Sequence, residues 1–143
     1  MKGYPNWFKG FIITTMTVLF LSGFLLTPTT LDLRLEWDMP WRLTADQRLY
    51  TVAAHVLFSY VMLCLFGAIW RIHIIVGIKQ KENLYSGLAL TGTLIILAIT
   101  GVGIFYFGND MASIISSVTH LLLGVIILFI FLYHIIFGKR GNK

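Results

Sequence analysis

Charge is scarce in these 143 residues: Asp, Glu, Lys and Arg together make up 12% of the chain. A soluble domain carries about 25%, so half of the usual polar coat is missing. Hydrophobic residues reach 57%, with a mean hydropathy of +0.83, and lipid is the solvent expected for most of the surface. Cysteine is nearly absent too. Cys64 is the single one, which excludes an internal disulfide, and no Cys-x-x-Cys-His run exists for covalent attachment of a c-type haem. Acidic residues number six: Asp32, Glu36, Asp38, Asp46, Glu82 and Asp110. The net charge of +5 does not point to nucleic acid, because Lys2, Lys9, Lys79, Lys81, Lys139, Arg140 and Lys143 lie at the chain ends or in one connecting loop. That is how a membrane protein holds its cytoplasmic face.

What is present is four long apolar segments, at about 8–27, 45–78, 86–107 and 111–137. Each reaches the ~20 residues a helix needs to cross ~30 Å of hydrocarbon, and backbone in lipid must satisfy its own hydrogen bonds. The expectation is an all-α integral membrane protein, one domain folded as a four-helix up-down bundle. Thr44-Ala45-Asp46-Gln47 has the form of a capping box opening the second helix. Asp110 is the expected N-cap of the fourth helix, and Gly138 its left-handed C-terminal residue. Lys2, Lys9 and the apolar run 11–26 have the outline of a signal peptide, but no small-x-small site follows, so an uncleaved first span is expected. The lysines all fall on one side, which places both termini in the cytoplasm of a bacterial or archaeal cell.

The first connection, 28–44, alternates Leu31, Leu33, Leu35, Trp37 and Met39 with Asp32, Arg34, Glu36 and Asp38. A period of two reads as a strand with one apolar face; a segment lying on the headgroups, anchored by Trp37 and Trp41, fits as well. Read as an edge, the segment would dock a redox partner subunit or cover a quinone entrance. Leu21-Ser22-Gly23-Phe24 near the end of the first span echoes Ile99-Thr100-Gly101-Val102 near the end of the third. Each is followed by a loop and a histidine-bearing helix, as in two hairpins related by a pseudo-two-fold axis.

Every histidine falls inside a span: His55 and His73 in the second, His120 and His134 in the fourth. Ionisable groups at membrane depth are costly and are candidates for function, although a single one also serves as a neutral contact between helices. Positions 55 and 73 are 18 apart, five turns at 100° per residue; positions 120 and 134 are 14 apart, close to four turns. Each pair shares a face. Helices 2 and 4 run parallel in an up-down bundle, so His55 meets His120 near the outer surface and His73 meets His134 near the inner one. Zinc or copper wants three or four ligands with carboxylate or thiolate among them, and every acidic residue lies outside the spans or at their ends. Haem b needs two axial imidazoles and a flat apolar slot, so two haems are expected. At ~1.5 Å per residue the helix 2 pair spans roughly 27 Å and the helix 4 pair roughly 21 Å; a tilt or kink must absorb the difference. Gly124, one turn past His120, leaves room for a porphyrin, as do Gly101 and Gly23, though glycine is also common wherever membrane helices touch. Arg48, seven residues before His55, is placed for an outer haem propionate; Arg71, Lys79, Lys139 and Arg140 are the inner candidates.

With His120-x13-His134 on the last helix and Gly124 between them, the chain resembles the four-helix di-haem cytochrome b subunits of bacterial respiratory enzymes. These are the membrane subunits of nickel–iron hydrogenases and formate dehydrogenases and their small stand-alone relatives. Two histidines on each of two helices is also similar to cytochrome b of bc complexes. The resemblance implies bis-histidine haem b and electron exchange with quinone or quinol. That family commonly takes one ligand from helix 1, where this chain has no histidine, so His73 has to stand in. The expected function is electron transfer across or within the membrane. The alternatives are a stand-alone di-haem oxidoreductase, passing electrons from a donor such as superoxide to quinone, and a haem-free transporter or assembly factor.

Overall fold

A computed structural model describes residues 4–81 and 83–138, and these are helical apart from short connections. Four helices follow one another: α1 (Asn6–Leu35), α2 (Ala45–Gln80), α3 (Leu84–Tyr106) and α4 (Asp110–Phe137). All four are long and apolar enough to cross a membrane. Only 6–17% of each helix's most apolar stretch is covered by the rest of the protein. A helix apolar all round and left uncovered needs lipid, or more protein, against it.

α1 runs further than expected. The helix passes through Pro28 and ends at Leu35, where Glu36 takes the left-handed conformation (φ 54°, ψ 31°). The strand expectation for 31–39 is therefore wrong, and the connection shrinks from 28–44 to 36–44. Pro28 removes the backbone bond to the Phe24 carbonyl and crowds that carbonyl with its ring, yet the helix continues past it. Pro28 and Thr29 are both buried, so packing holds the last two turns in helical form. Arg42, on the loop, forms an ion pair with Asp32 on this added stretch.

α2 opens with the expected capping box: Gln47 N–H donates to the Thr44 hydroxyl (3.4 Å), and Thr44 N–H to the Gln47 side chain (3.2 Å). Its last third changes register. Trp70–Ile74 forms a π turn, and an α-helical tail, Ile75–Gln80, follows. The Tyr4 hydroxyl donates to the Ala68 carbonyl (3.0 Å), just before that change. At α4 two expectations are corrected. Asn109, not Asp110, is the N-cap, its side chain accepting from Ala112 N–H (3.1 Å), and Gly138 closes the helix in the right-handed region (φ −63°). The C-terminal bond from Gly138 N–H to the His134 carbonyl needs no left-handed residue.

α3 packs along α4, and α1 packs on both α2 and α4; α2 and α4 make no extended backbone contact. Buried Gly103 lets α3 and α4 approach closely at one end, where a Cβ would lie 2.6 Å from the Ser116 hydroxyl. Ser113 adds a bond to the Ile104 carbonyl (3.0 Å). At the other end the Asn83 amide donates to the Gly138 carbonyl (2.8 Å). Met16, Met62 and Ile127 form the buried middle of the bundle, with Leu94 and Leu97 against them. The loop end of the bundle is the end bearing 36–44, and the terminal end is the end where α1 begins and α4 closes.

Two cross-helix histidine pairs

The two histidine-bearing helices meet through their imidazoles. At the loop end the ring centres of His55 and His120 lie 6.2 Å apart, with planes at 72°. At the terminal end those of His73 and His134 are also 6.2 Å apart, at 85°. Among the described residues no three His, Cys, Asp or Glu side chains come together, so each site is a pair. Two imidazoles bonded to opposite faces of one metal ion at about 2 Å put their ring centres roughly 6.3 Å apart. The observed spacing matches that value and also that of an edge-to-face ring contact.

Three of the four rings are turned by a hydroxyl on a neighbouring helix. Ser22 of α1 bonds His55 Nδ1 (2.8 Å), Thr100 of α3 bonds His120 Nδ1 (3.1 Å), and Ser86 of α3 bonds His134 Nδ1 (2.9 Å). The direction of two of these bonds follows from a proton count. The Ser22 hydroxyl gives its one proton to the Val18 carbonyl (2.7 Å) and Thr100 to that of Ile96 (2.8 Å), while Ser86 lies 3.2 Å from that of Asn83. An oxygen so engaged accepts from Nδ1–H at Ser22 and Thr100; at Ser86 the ring nitrogen is the nearer partner, and the hydroxyl serves as donor or acceptor according to the tautomer of His134. The Leu97 carbonyl, which can only accept, also bonds His120 Nδ1 (3.1 Å). The proton of His120 is thereby held on Nδ1, and its Nε2 keeps the lone pair a metal needs. Among the described residues no hydroxyl is bonded to His73.

A glycine follows each of the three hydroxyl residues, and the ring lies against it. A Cβ on Gly23 would sit 3.3 Å from His55 Cε1, one on Gly101 3.4 Å from His120 Cε1, and one on Gly87 3.9 Å from His134 Cε1. Gly23 and Gly101 thus make room for imidazoles. Gly124 differs: a Cβ there meets nothing within 4 Å, so the space beside His120 is open.

Around His73 and His134 lies an apolar cavity of about 690 Å³, walled by all four helices, with Ile12, Met16, Phe66, Leu90 and Phe131 among its residues. That volume falls in the ~300–1,000 Å³ range of cofactor and ligand sites. Gly77 and Gly138, each four residues past one of these histidines, line it, as Gly124 follows His120. Ser59 holds the fourth such position, its hydroxyl folded back on the His55 carbonyl (2.7 Å). A small residue at i+4 clears the face of the helix next to the ligand. At the terminal end the two imidazoles, their separation and the apolar cavity fit a haem; at the loop end the two imidazoles, their separation and their hydroxyl partners do so.

The cation at the cavity is Lys9, which sequence reasoning passed over; Arg71 and Lys79 do not line it, and Lys139 and Arg140 lie outside the described residues. Arg48 is exposed at the start of α2, with no ion pair among the described residues. The hydroxyl clamps were also missed, although the recurring Ser/Thr-Gly dipeptide marks them: Ser22-Gly23, Ser86-Gly87 and Thr100-Gly101. Comparison of the chain with protein-family models, curated protein sequences and solved structures finds no match to any of them.

Proposed function

We propose that the chain is an integral membrane cytochrome holding two haem b groups, one between His55 and His120 and the other between His73 and His134. It moves electrons across or within the membrane between quinone or quinol and a redox partner. The observation that carries this reading is the pair of 6.2 Å imidazole separations, with a hydroxyl bonded to Nδ1 at His55, His120 and His134. Haem supplies an iron that takes up and releases one electron, and six-coordination by two imidazoles favours that over oxygen chemistry.

The protein's share is to hold and separate. Ser22, Thr100 and Ser86 orient the ligands, while Gly77, Gly124, Gly138 and Ser59 keep the helix faces low beside them. Met16, Met62 and Ile127 form a dry layer between the two sites. Lys9 provides a positive charge for a carboxylate at the terminal-end site, and Arg48 is placed to do so at the loop end. The lysine distribution orients the bundle with both termini in the cytoplasm of a bacterial or archaeal cell. The redox partner docks on 36–44, where exposed Trp37 and Trp41 sit beside the Arg42–Asp32 pair. The resemblance to di-haem cytochrome b subunits points the same way.

Single substitutions test the pairing. His55→Ala and His120→Ala each remove the same haem, and His134→Ala removes the other, so each variant retains half the low-spin absorbance of the wild type. If His55→Ala and His120→Ala affected different haems, the cross-helix pairing would be wrong.

A further inference from the structure

The two sites are not equivalent, and the internal repeat shows where they part. His55 lies eleven residues past its cap at Thr44, and His120 eleven past its cap at Asn109. From there the helices stay in step: Met62 answers to Ile127, both buried, and Ile69 answers to His134, each 65 positions earlier. The flanking helices keep step as well: Ser22 answers to Thr100, Thr15 to Thr93 and Phe8 to Ser86, each 78 positions earlier. At the terminal end the first hairpin thus has Phe8 and Ile69 where the second has the Ser86 clamp and its histidine. Its own histidine, His73, stands four residues further on. That is one whole turn late, which is why the spacings are 18 and 14.

His73 reaches His134 from within the π turn Trp70–Ile74. A π turn carries an extra residue per turn, shortens the rise and re-aims its side chains. No hydroxyl is bonded to the His73 ring among the described residues, whereas His134 opposite is held by Ser86 at 2.9 Å. Such second-sphere bonds are worth about 10–100-fold in metal affinity. The terminal-end site therefore has one clamped ligand and one unclamped ligand, beside a cavity of about 690 Å³. At the loop end both rings are clamped.

We infer that His73 is the exchangeable ligand, and that the terminal-end site accepts a small neutral molecule of the class of carbon monoxide or free imidazole in its place. With haem bound, His134 would remain the histidine that holds it, and the incoming molecule would take the position that His73 gives up. His73 leaves as neutral imidazole, and no electron or proton is transferred. The loop-end pair, His55 and His120, stays closed to the same ligand. This rests on the two-haem reading above.

The test is a carbon monoxide titration of the full-length, dithionite-reduced protein in detergent, followed by visible absorbance. Half of the b-type absorbance shifts in the wild type. His73→Ala keeps both haems, shows half of them high-spin before any addition, and saturates at 10–100-fold lower carbon monoxide. No shift in the wild type, or a shift of all the haem, overturns the inference, and so does His55→Ala abolishing the shift. A preparation lacking haem contradicts the reading of the four histidines, whereas a red protein indifferent to carbon monoxide contradicts only the exchange at His73.

Discussion

A hydroxyl that gives away its only proton becomes an acceptor, and at Ser22 and Thr100 that fact turns an imidazole. The clamps differ in redundancy. His120 has a backbone carbonyl besides the hydroxyl, from Leu97, whereas among the described residues His55 Nδ1 and His134 Nδ1 are each bonded to one hydroxyl, Ser22 and Ser86. Ser86→Ala and Ser22→Ala are each expected to weaken haem retention at their own site by about 10–100-fold, with Thr100→Val smaller in effect; haem loss to apomyoglobin measures the order. Equal effects from all three would mean that the hydroxyls do not orient the rings. The glycines give a second graded series. Gly23→Ala pushes a Cβ to 3.3 Å from His55 and shifts the loop-end spectrum, whereas Gly87→Ala, at 3.9 Å from His134, leaves the terminal-end one unchanged. A Cβ added at Gly124 meets no protein atom within 4 Å, and Gly124→Leu extends a side chain from that open position into the slot beside His120. The predicted result is a folded bundle with one haem; two haems in Gly124→Leu would show that the slot lies elsewhere. The pairing of the histidines was legible from spacing alone, because five turns and nearly four turns each return a side chain to one face. The hydroxyls were not, because serine and threonine in a membrane helix normally bond only their own backbone, and nothing in a string of letters says which also face a ring.

At the scale of the helix, the capping signals are clear where side chain and backbone answer each other and less so where two candidates stand side by side. Thr44 and Gln47 form a reciprocal box, and Thr44→Ala is expected to cost about 1 kcal/mol, measured as a lower midpoint in a thermal melt. Asn109 and Asp110 are both good caps, and Asn109 takes the place, which makes the first histidine of each hairpin equidistant from its cap. The end of α1 is hard to read because proline and a two-residue alternation both argue against helix, while the burial of Pro28 and Thr29 overrides them. The π turn has no sequence signature, yet it accounts for the uneven histidine spacing that the sequence displays. Deleting Ile72 would return the turn to α geometry and rotate the helical tail beyond it by about 100°. The expected result is loss of the His73 ligand with the loop-end haem intact; two unaltered low-spin haems would show that the π turn has no part in placing His73.

Over the whole molecule, four apolar helices leave most of their surface uncovered, and the hydrophilic groups gather at the ends and along one internal line. That line runs from Ser86 and His134 at the terminal end, past the Met16, Met62 and Ile127 layer, to Ser22, His55, Thr100 and His120 at the loop end. This placement of hydroxyls and imidazoles supports the proposal that the chain carries electrons between two depths. The most direct test is the visible spectrum of the purified full-length protein, oxidised and reduced, with haem counted per chain after acid–acetone extraction. Two extractable haems with low-spin b-type bands are predicted. A colourless protein, or a single haem per chain, would contradict the claim that the two histidine pairs are two haem sites.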